Sequence, residues 1–135
     1  LQHEIYGNLA NALYSQGQLL ESIPHRKSAL FWARKLGFND NLTMASGNLA
    51  RTYQLVGQLQ LANETYRDAI SNFNSEESPN YSIFQLRLAE INTALGEVEA
   101  AKQHITKVRF TKLLPSHLTL YHQLANKLAL NPTAL

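Results

Sequence analysis

"SGNLARTYQLVGQ", residues 46 to 58, restates a pattern met forty residues earlier in "YGNLANALYSQGQ", residues 6 to 18. Both stretches carry Gly-Asn-Leu-Ala near the front and end on Gly-Gln. Aligned on the later glycine, a third copy follows: Gly17, Gly57 and Gly96 lie 40 and 39 residues apart, a period in the range of helical repeat arrays. Seven residues before each glycine stands an alanine (Ala10, Ala50, Ala89), and eight before stands a leucine (Leu9, Leu49, Leu88). Five after come Ser22, Ala62 and Ala101, and twelve after come Ala29, Ala69 and Val108. Small residues at fixed places suit two helices that cross closely, where a larger side chain would force them apart.

Local signals divide each unit into two helices. In the third copy Phe84, Leu88, Ile91 and Leu95 recur at i, i+4, i+7 and i+11, and Val98, Ala101, Ile105 and Val108 form a second apolar face after Gly96. Gly17, Gly57 and Gly96 sit where a helix-ending residue takes positive φ, Gly37 does the same before Phe38, and Ser78-Pro79 reads as an N-cap followed by proline at the first helical position. The pattern predicts helices near 3–16, 19–36, 41–56, 59–73, 79–95, 98–112 and 116–130. No stretch alternates with strand period, so the chain is read as all-α. Pro24 falls inside the second helix, where it removes a hydrogen bond; a late start with Ser22 as N-cap is expected in preference to a local kink.

Composition excludes more than it identifies. The 135 residues are the size of one domain, and 44% hydrophobic content supports a continuous core. Twelve Lys and Arg against ten Asp and Glu leave a net charge of +2 with no run of like charge, which argues against nucleic acid as a partner. There is no cysteine, so disulfides and thiolate chemistry are absent and cytosol and periplasm both stay open. No membrane span or targeting segment is visible, and Leu1 already lies in a helical pattern, so the chain is expected to be a segment of a longer one. The five histidines include no pair at i, i+4, and the acidic pairs Glu76-Glu77 and Glu97/Glu99 sit at a loop and a helix start. No phosphate loop, nucleophile elbow or HExxH is present, so neither metal, cofactor nor catalysis is expected. Asn41, Asn63 and Asn80 match the short glycosylation pattern and are discounted as chance matches.

The units resemble tetratricopeptide repeats. The second matches best, with Leu49, Ala50, Tyr53, Gly57, Ala62, Tyr66 and Ala69 at characteristic places; the first departs at Ser22 and Arg26 and the third at Asn92. The 39 to 40 residue period is similar to the longer-helix variants of bacterial regulators. The resemblance implies three hairpins, over 3–37, 41–74 and 79–113, and a terminal helix 116–130, stacked as a right-handed α-α superhelix, with Ala10, Ala50 and Ala89 at close helix contacts.

It also implies a peptide-binding concave surface lined by the first helix of each unit. Carried across, its places fall on Glu4, Gly7, Asn8, Asn11 and Tyr14, then Met44, Gly47, Asn48, Arg51 and Gln54, then Ile83, Leu86, Arg87, Glu90 and Thr93. Asparagines there can bond a peptide main chain through donor and acceptor, and Arg51 and Arg87 can grip a carboxylate. Alternatively Arg51 and Glu90 neutralise each other across neighbouring helices. Asn11, Asn48 and Arg87 also match places of a carboxylate-clamp subset, but Gly7 and Ile83 replace both of its lysines, so that clamp is not expected.

Two regions lie outside the groove. Phe31, Trp32 and Phe38 are expected to pack between successive units, the alternative being an exposed aromatic patch. In the last helix Leu118, Tyr121, Ala125 and Leu128 form the expected packing stripe, and Leu120, Leu124, Leu113 and Leu114 an uncovered strip that predicts weak self-association, a homodimer through the C-terminal helix. The function expected is a non-catalytic scaffold or sensory module for a protein or peptide partner, within a bacterial signalling protein whose output is a diguanylate cyclase, histidine kinase or transcription regulator; the alternative is a structural self-association module.

Overall fold

The computed structural model describes residues 17–128. Its helices fall in two compact units, residues 1–72 and 73–135. The first holds α1 (Leu19–Leu36), α2 (Asn39–Leu55) and α3 (Leu59–Ile70), with α2 packed against both of the others. The second holds α4 (Pro79–Ala94), α5 (Val98–Thr106), a 3-10 turn (Phe110–Lys112) and α6 (Pro115–Lys127), with α5, α6 and the turn all packed on α4. No strand occurs among the described residues. The helix expected over 3–16, with Ala10, lies outside them.

The repeat glycines end their helices with the same hydrogen bonds. After α2 the Gln58 amide donates to the Tyr53 carbonyl at 2.9 Å and the Gly57 amide to the Gln54 carbonyl at 3.1 Å. Thirty-nine residues on, Glu97 donates to Asn92 at 2.8 Å and Gly96 to Thr93 at 3.1 Å. Both are Schellman stops, which need a left-handed residue at the turn; Gly57 and Gly96 supply φ of 84° and 79°.

Burial follows the repeat more closely than residue type does. The places before the glycine hold Leu49, Ala50 and Tyr53 in one copy and Leu88, Ala89 and Asn92 in the next, all buried. The place five after holds Ser22, Ala62 and Ala101, and the place nine after holds Arg26, Tyr66 and Ile105, again all buried. Where the first copy puts Ser22 in an alanine's place, its hydroxyl is satisfied by donating to the Leu19 carbonyl at 2.7 Å. Asn92, standing where the second copy has Tyr53, donates its side-chain amide to the Leu88 carbonyl at 2.7 Å. A buried polar group without such a partner would cost on the order of 1–3 kcal/mol, so the departures at Ser22 and Asn92 each carry their own compensation.

Four expectations are corrected. First, α1 starts at Leu19 and runs through Pro24, so Ser22 is not its N-cap; Pro24 and Leu20 lie on the exposed side of the helix, where water can meet the carbonyl that the proline leaves without a donor. Second, the helix predicted to reach residue 112 ends at Thr106. β-branched Thr106 and Val108 weaken continuation, and the Arg109 amide donates instead to the Ser82 hydroxyl of α4 at 3.0 Å. Third, Leu86 is fully buried rather than groove-lining, in a cluster with Ala89, Ala101, Ile105, Val108, Leu124, Ala125 and Leu128. Fourth, Leu124 belongs to that same cluster at 6% exposure, with Leu113, Leu120 and Tyr121 packed against it. Of the strip assigned to an outside partner, Leu124 is core, contributing about 1.5–3 kcal/mol by burial, Leu113 and Leu120 are partly buried against it, and Leu114 is exposed. Ser78 does stand before Pro79 at the start of α4, though its side chain makes no capping bond.

Candidate functional site

The candidate groove residues that the structure describes fall on α2 and α4, one in each unit. Asn8, Asn11 and Tyr14, with Glu4 and Gly7, lie outside the described residues. On α2 the buried residues Ser46, Leu49, Ala50, Thr52 and Tyr53 face the packing partners. That leaves Met44, Asn48 and Arg51 at i, i+4 and i+7 on the other face: Met44 is 63% exposed, Asn48 exposed, and Arg51 and Gln54 half-buried. A thioether at one end, an amide in the middle and a guanidinium at the other can together meet an apolar side chain, a peptide main chain and a carboxylate.

On α4 the corresponding face is more enclosed. Ile83, Arg87, Glu90 and Thr93 are half-buried, and the Arg87 guanidinium donates to the Glu90 carboxylate at 3.1 Å along the helix. A ligand carboxylate approaching Arg87 has to share it with Glu90. Thr93 is turned back on the helix, donating to the Ala89 carbonyl at 2.7 Å.

Two polar arrangements in the second unit were not read from the sequence. His104 of α5 and Gln85 of α4, both buried, meet at 2.8 Å between Nδ1 and Oε1; with the amide oxygen accepting, the ring carries its proton on Nδ1. At the edge of the same helices Arg109 pairs with Glu77 and, at 3.9 Å, with Glu76, while the Tyr81 hydroxyl donates to Glu76 at 2.9 Å. Burial, and next the neighbouring Glu76 carboxylate, push the Tyr81 phenol above its ordinary value of 10.0. Nothing in the spacing of these residues signals either contact, because both join positions 19 to 32 residues apart.

A third feature overturns an expectation. Phe31 and Phe38 are 52% and 59% exposed, and Trp32 is only half-buried. Phe31 and Trp32 meet edge to face with centroids 5.3 Å apart, and the Lys35 ammonium lies 5.0 Å from the Trp32 ring centre and 5.9 Å from that of Phe31. Of the aromatics expected to pack between units, Phe31 and Trp32 instead form a surface on α1, and Phe38 stands exposed before α2. Lys27, Phe31 and Lys35 at i, i+4 and i+8 were the available signal: an apolar stripe bounded by lysines at both ends reads as a wet face.

Among the described residues no group of three or more His, Cys, Asp or Glu is placed to hold a metal ion, and no helix is long and apolar enough to cross a membrane.

The family profile described as tetratricopeptide repeat matches residues 1–75. The chain belongs to the tetratricopeptide repeat family. Repeats of this family are generally protein–protein interaction modules and typically non-catalytic scaffolds. Similar folds are seen in two structures of nearly identical TPR-like repeats from Podosopora anserina, assigned as a kinesin light chain. One is 25% identical with a TM-score of 0.74, covering 93% of this chain and 62% of that one. The other, 26% identical with a TM-score of 0.73, covers 93% and 63%. BtubC (BKLC) from P. vanneervenii, at 20% identity and a TM-score of 0.67, covers 98% of this chain and 65% of its own and shares the fold alone. The chain thus spans a little over three-fifths of the length of these tetratricopeptide repeat structures. No curated protein matches it.

Proposed function

We propose that this repeat segment is a non-catalytic scaffold that binds a partner protein through the partly exposed face of α2 and, as a separate surface, the equivalent face of α4, as the sensory or scaffolding part of a longer signalling protein. The observation that carries the reading is the division of α2 into a face fully used in packing and a face on which Met44 and Asn48 are exposed and Arg51 is half-buried. A helix whose only task was structural would have no need of an amide and a guanidinium in register with an exposed methionine, and these three can read an apolar side chain, a main chain and a carboxylate in sequence. Asn48 and Arg51 supply affinity, Met44 an adaptable apolar contact. Arg87, already paired, contributes orientation more than charge.

The test is binding by the full-length protein. Asn48→Ala combined with Arg51→Ala is expected to weaken capture of the native partner by roughly tenfold or more, two lost hydrogen bonds, one of them charged, being worth on the order of 2 kcal/mol. Circular dichroism should stay unchanged, since both side chains lie off the packed face. Unaltered capture by this double variant and by Arg87→Ala would remove α2 and α4 as the site.

A further inference from the structure

We propose that α1 carries a second docking surface, formed by Lys27, Phe31, Trp32 and Lys35, for a partner-protein segment with one large apolar side chain between two carboxylates about 12 Å apart. It is independent of the groove reading, since none of its residues lies on α2 or α4.

The floor of the surface is aromatic. Lys27, Ser28, Phe31 and Trp32 line a shallow open groove of about 400 Å³, enough to receive a leucine or an aromatic ring. Phe31 stays half in solvent although the same helix buries Ala29, Leu30 and Ala33 completely or nearly so. The exposed ring is therefore not a residue left over by a helix too short of packing partners: the helix has a full apolar face elsewhere.

Charge decides what kind of segment fits. Helix α1 holds four basic residues (Arg26, Lys27, Arg34, Lys35) against one acid, Glu21, whereas the rest of the chain holds eight against nine. The whole basic surplus of the protein lies on this one helix. Arg26 is buried and Arg34 is spent on Asp68 of α3, which leaves Lys27 and Lys35. Among the described residues neither has a carboxylate partner, and the Lys35 ammonium rests over the two rings. A cation held above an aromatic face is already partly out of water, so a carboxylate meeting it gives up less solvation than it would at a free lysine. Lys27 and Lys35 are eight residues apart, which places their attachment points about 12 Å apart along the helix with the aromatic pair between them. A second helix matches this with acids four residues either side of an apolar residue. Of the chain's two acidic pairs, Glu76 and Glu77 are engaged by Arg109 and Lys112, and Glu99 of the other by Lys102. An anionic membrane is disfavoured by a footprint of two lysines, since surface binding needs a longer basic face.

Trp32 is the protein's single tryptophan and reports on the surface directly. The probe is a synthetic helical peptide without tryptophan, with leucine at its centre and glutamate four residues either side, titrated against the full chain. Saturable movement of Trp32 emission to shorter wavelength is expected, weakened by salt. Lys27→Glu with Lys35→Glu should reduce the affinity on the order of tenfold, two exposed charge pairs being replaced by repulsion, and Phe31→Ala should weaken it independently. Arg51→Ala with Arg87→Ala should leave it unchanged, so failure here leaves the groove reading standing. The proposal is overturned by no emission shift at millimolar peptide, by equal binding of a peptide with lysines for the glutamates, by undiminished affinity of the charge-reversed variant, or by a shift that only phosphatidylglycerol vesicles or added protein produce.

Discussion

The second helix of the first repeat and that of the third begin alike and end differently. α1 and α5 place Ser22 and Ala101, and Arg26 and Ile105, at the same distances after their glycines, Val108 just past the end of α5 matches Ala29, and all six are buried. Beyond that point α1 continues to Leu36, 18 residues in all, and carries its rings and lysines into solvent, whereas α5 stops after nine residues and the chain folds back on α4. The middle copy, α3, has twelve. The repeat therefore governs the first half of each second helix, where packing against the first helix demands small or shape-matched residues. The second half is free to differ, and in α1 it bears a surface while after α5 its place is taken by a 3-10 turn with no buried residue.

The largest effect that could break this comparison is at the shared places. Ile105→Ala should destabilise by about 2–5 kcal/mol as a cavity in a full cluster, while Phe31→Ala, beyond the shared half of α1, should stay within about 0.5 kcal/mol. Urea denaturation followed by circular dichroism separates the two, and similar losses would erase the distinction between the halves. Next in size, Ala50→Leu should overpack the junction of α2 with its neighbours and cost roughly 1–3 kcal/mol. An unchanged melting temperature there would show that the repeat alignment is misplaced.

Smaller effects sharpen the account of where α5 ends. Arg109→Ala removes pairs with Glu76 and Glu77 whose partners are about half exposed, so screening holds the expected loss to between about 0 and 1 kcal/mol, diminishing further in salt. A loss above this range that ignores salt would mean the arginine acts through packing. The smallest concerns Tyr81. Its folded-state value is raised, so the folded protein keeps the phenol proton after the unfolded chain has released it, and stability should fall as pH rises above about 10. Tyr81→Phe should flatten that part of the alkaline limb in a pH series of denaturation curves.

What the sequence disclosed and what it withheld divide along the same line. Gly57, Gly96 and the alanines at fixed offsets were legible because each answers a local demand, a left-handed turn or a close crossing. The end of α5 was not, because Arg109 is drawn to Ser82, a residue 27 positions away. Leu124 was misassigned for a related reason: helical periodicity gives an apolar face but not which of two adjacent stripes meets the neighbour; Leu86 was placed in the groove by the family resemblance alone. Phe31 and Trp32 were misread because large aromatics are usually buried, although the bracketing lysines spoke for solvent. Of the candidate groove, α2 presents Met44 and Asn48 to solvent with Arg51 half-buried, and on α4 Arg87 is paired with Glu90.

The glycine stops have a consequence for ancestry. A β-carbon built at Gly57 or Gly96 meets no atom within 4 Å, so nothing crowds these positions and the demand they impose is one of handedness alone. Asparagine, which tolerates that handedness better than other chiral residues, could replace either glycine without disturbing a neighbour. Duplicated copies of this unit can consequently drift away from glycine while keeping the same turn. Kinship between copies is then better traced by the buried Leu-Ala pair, where any change of size is felt by the facing helix, than by the residue that first makes the repeat visible.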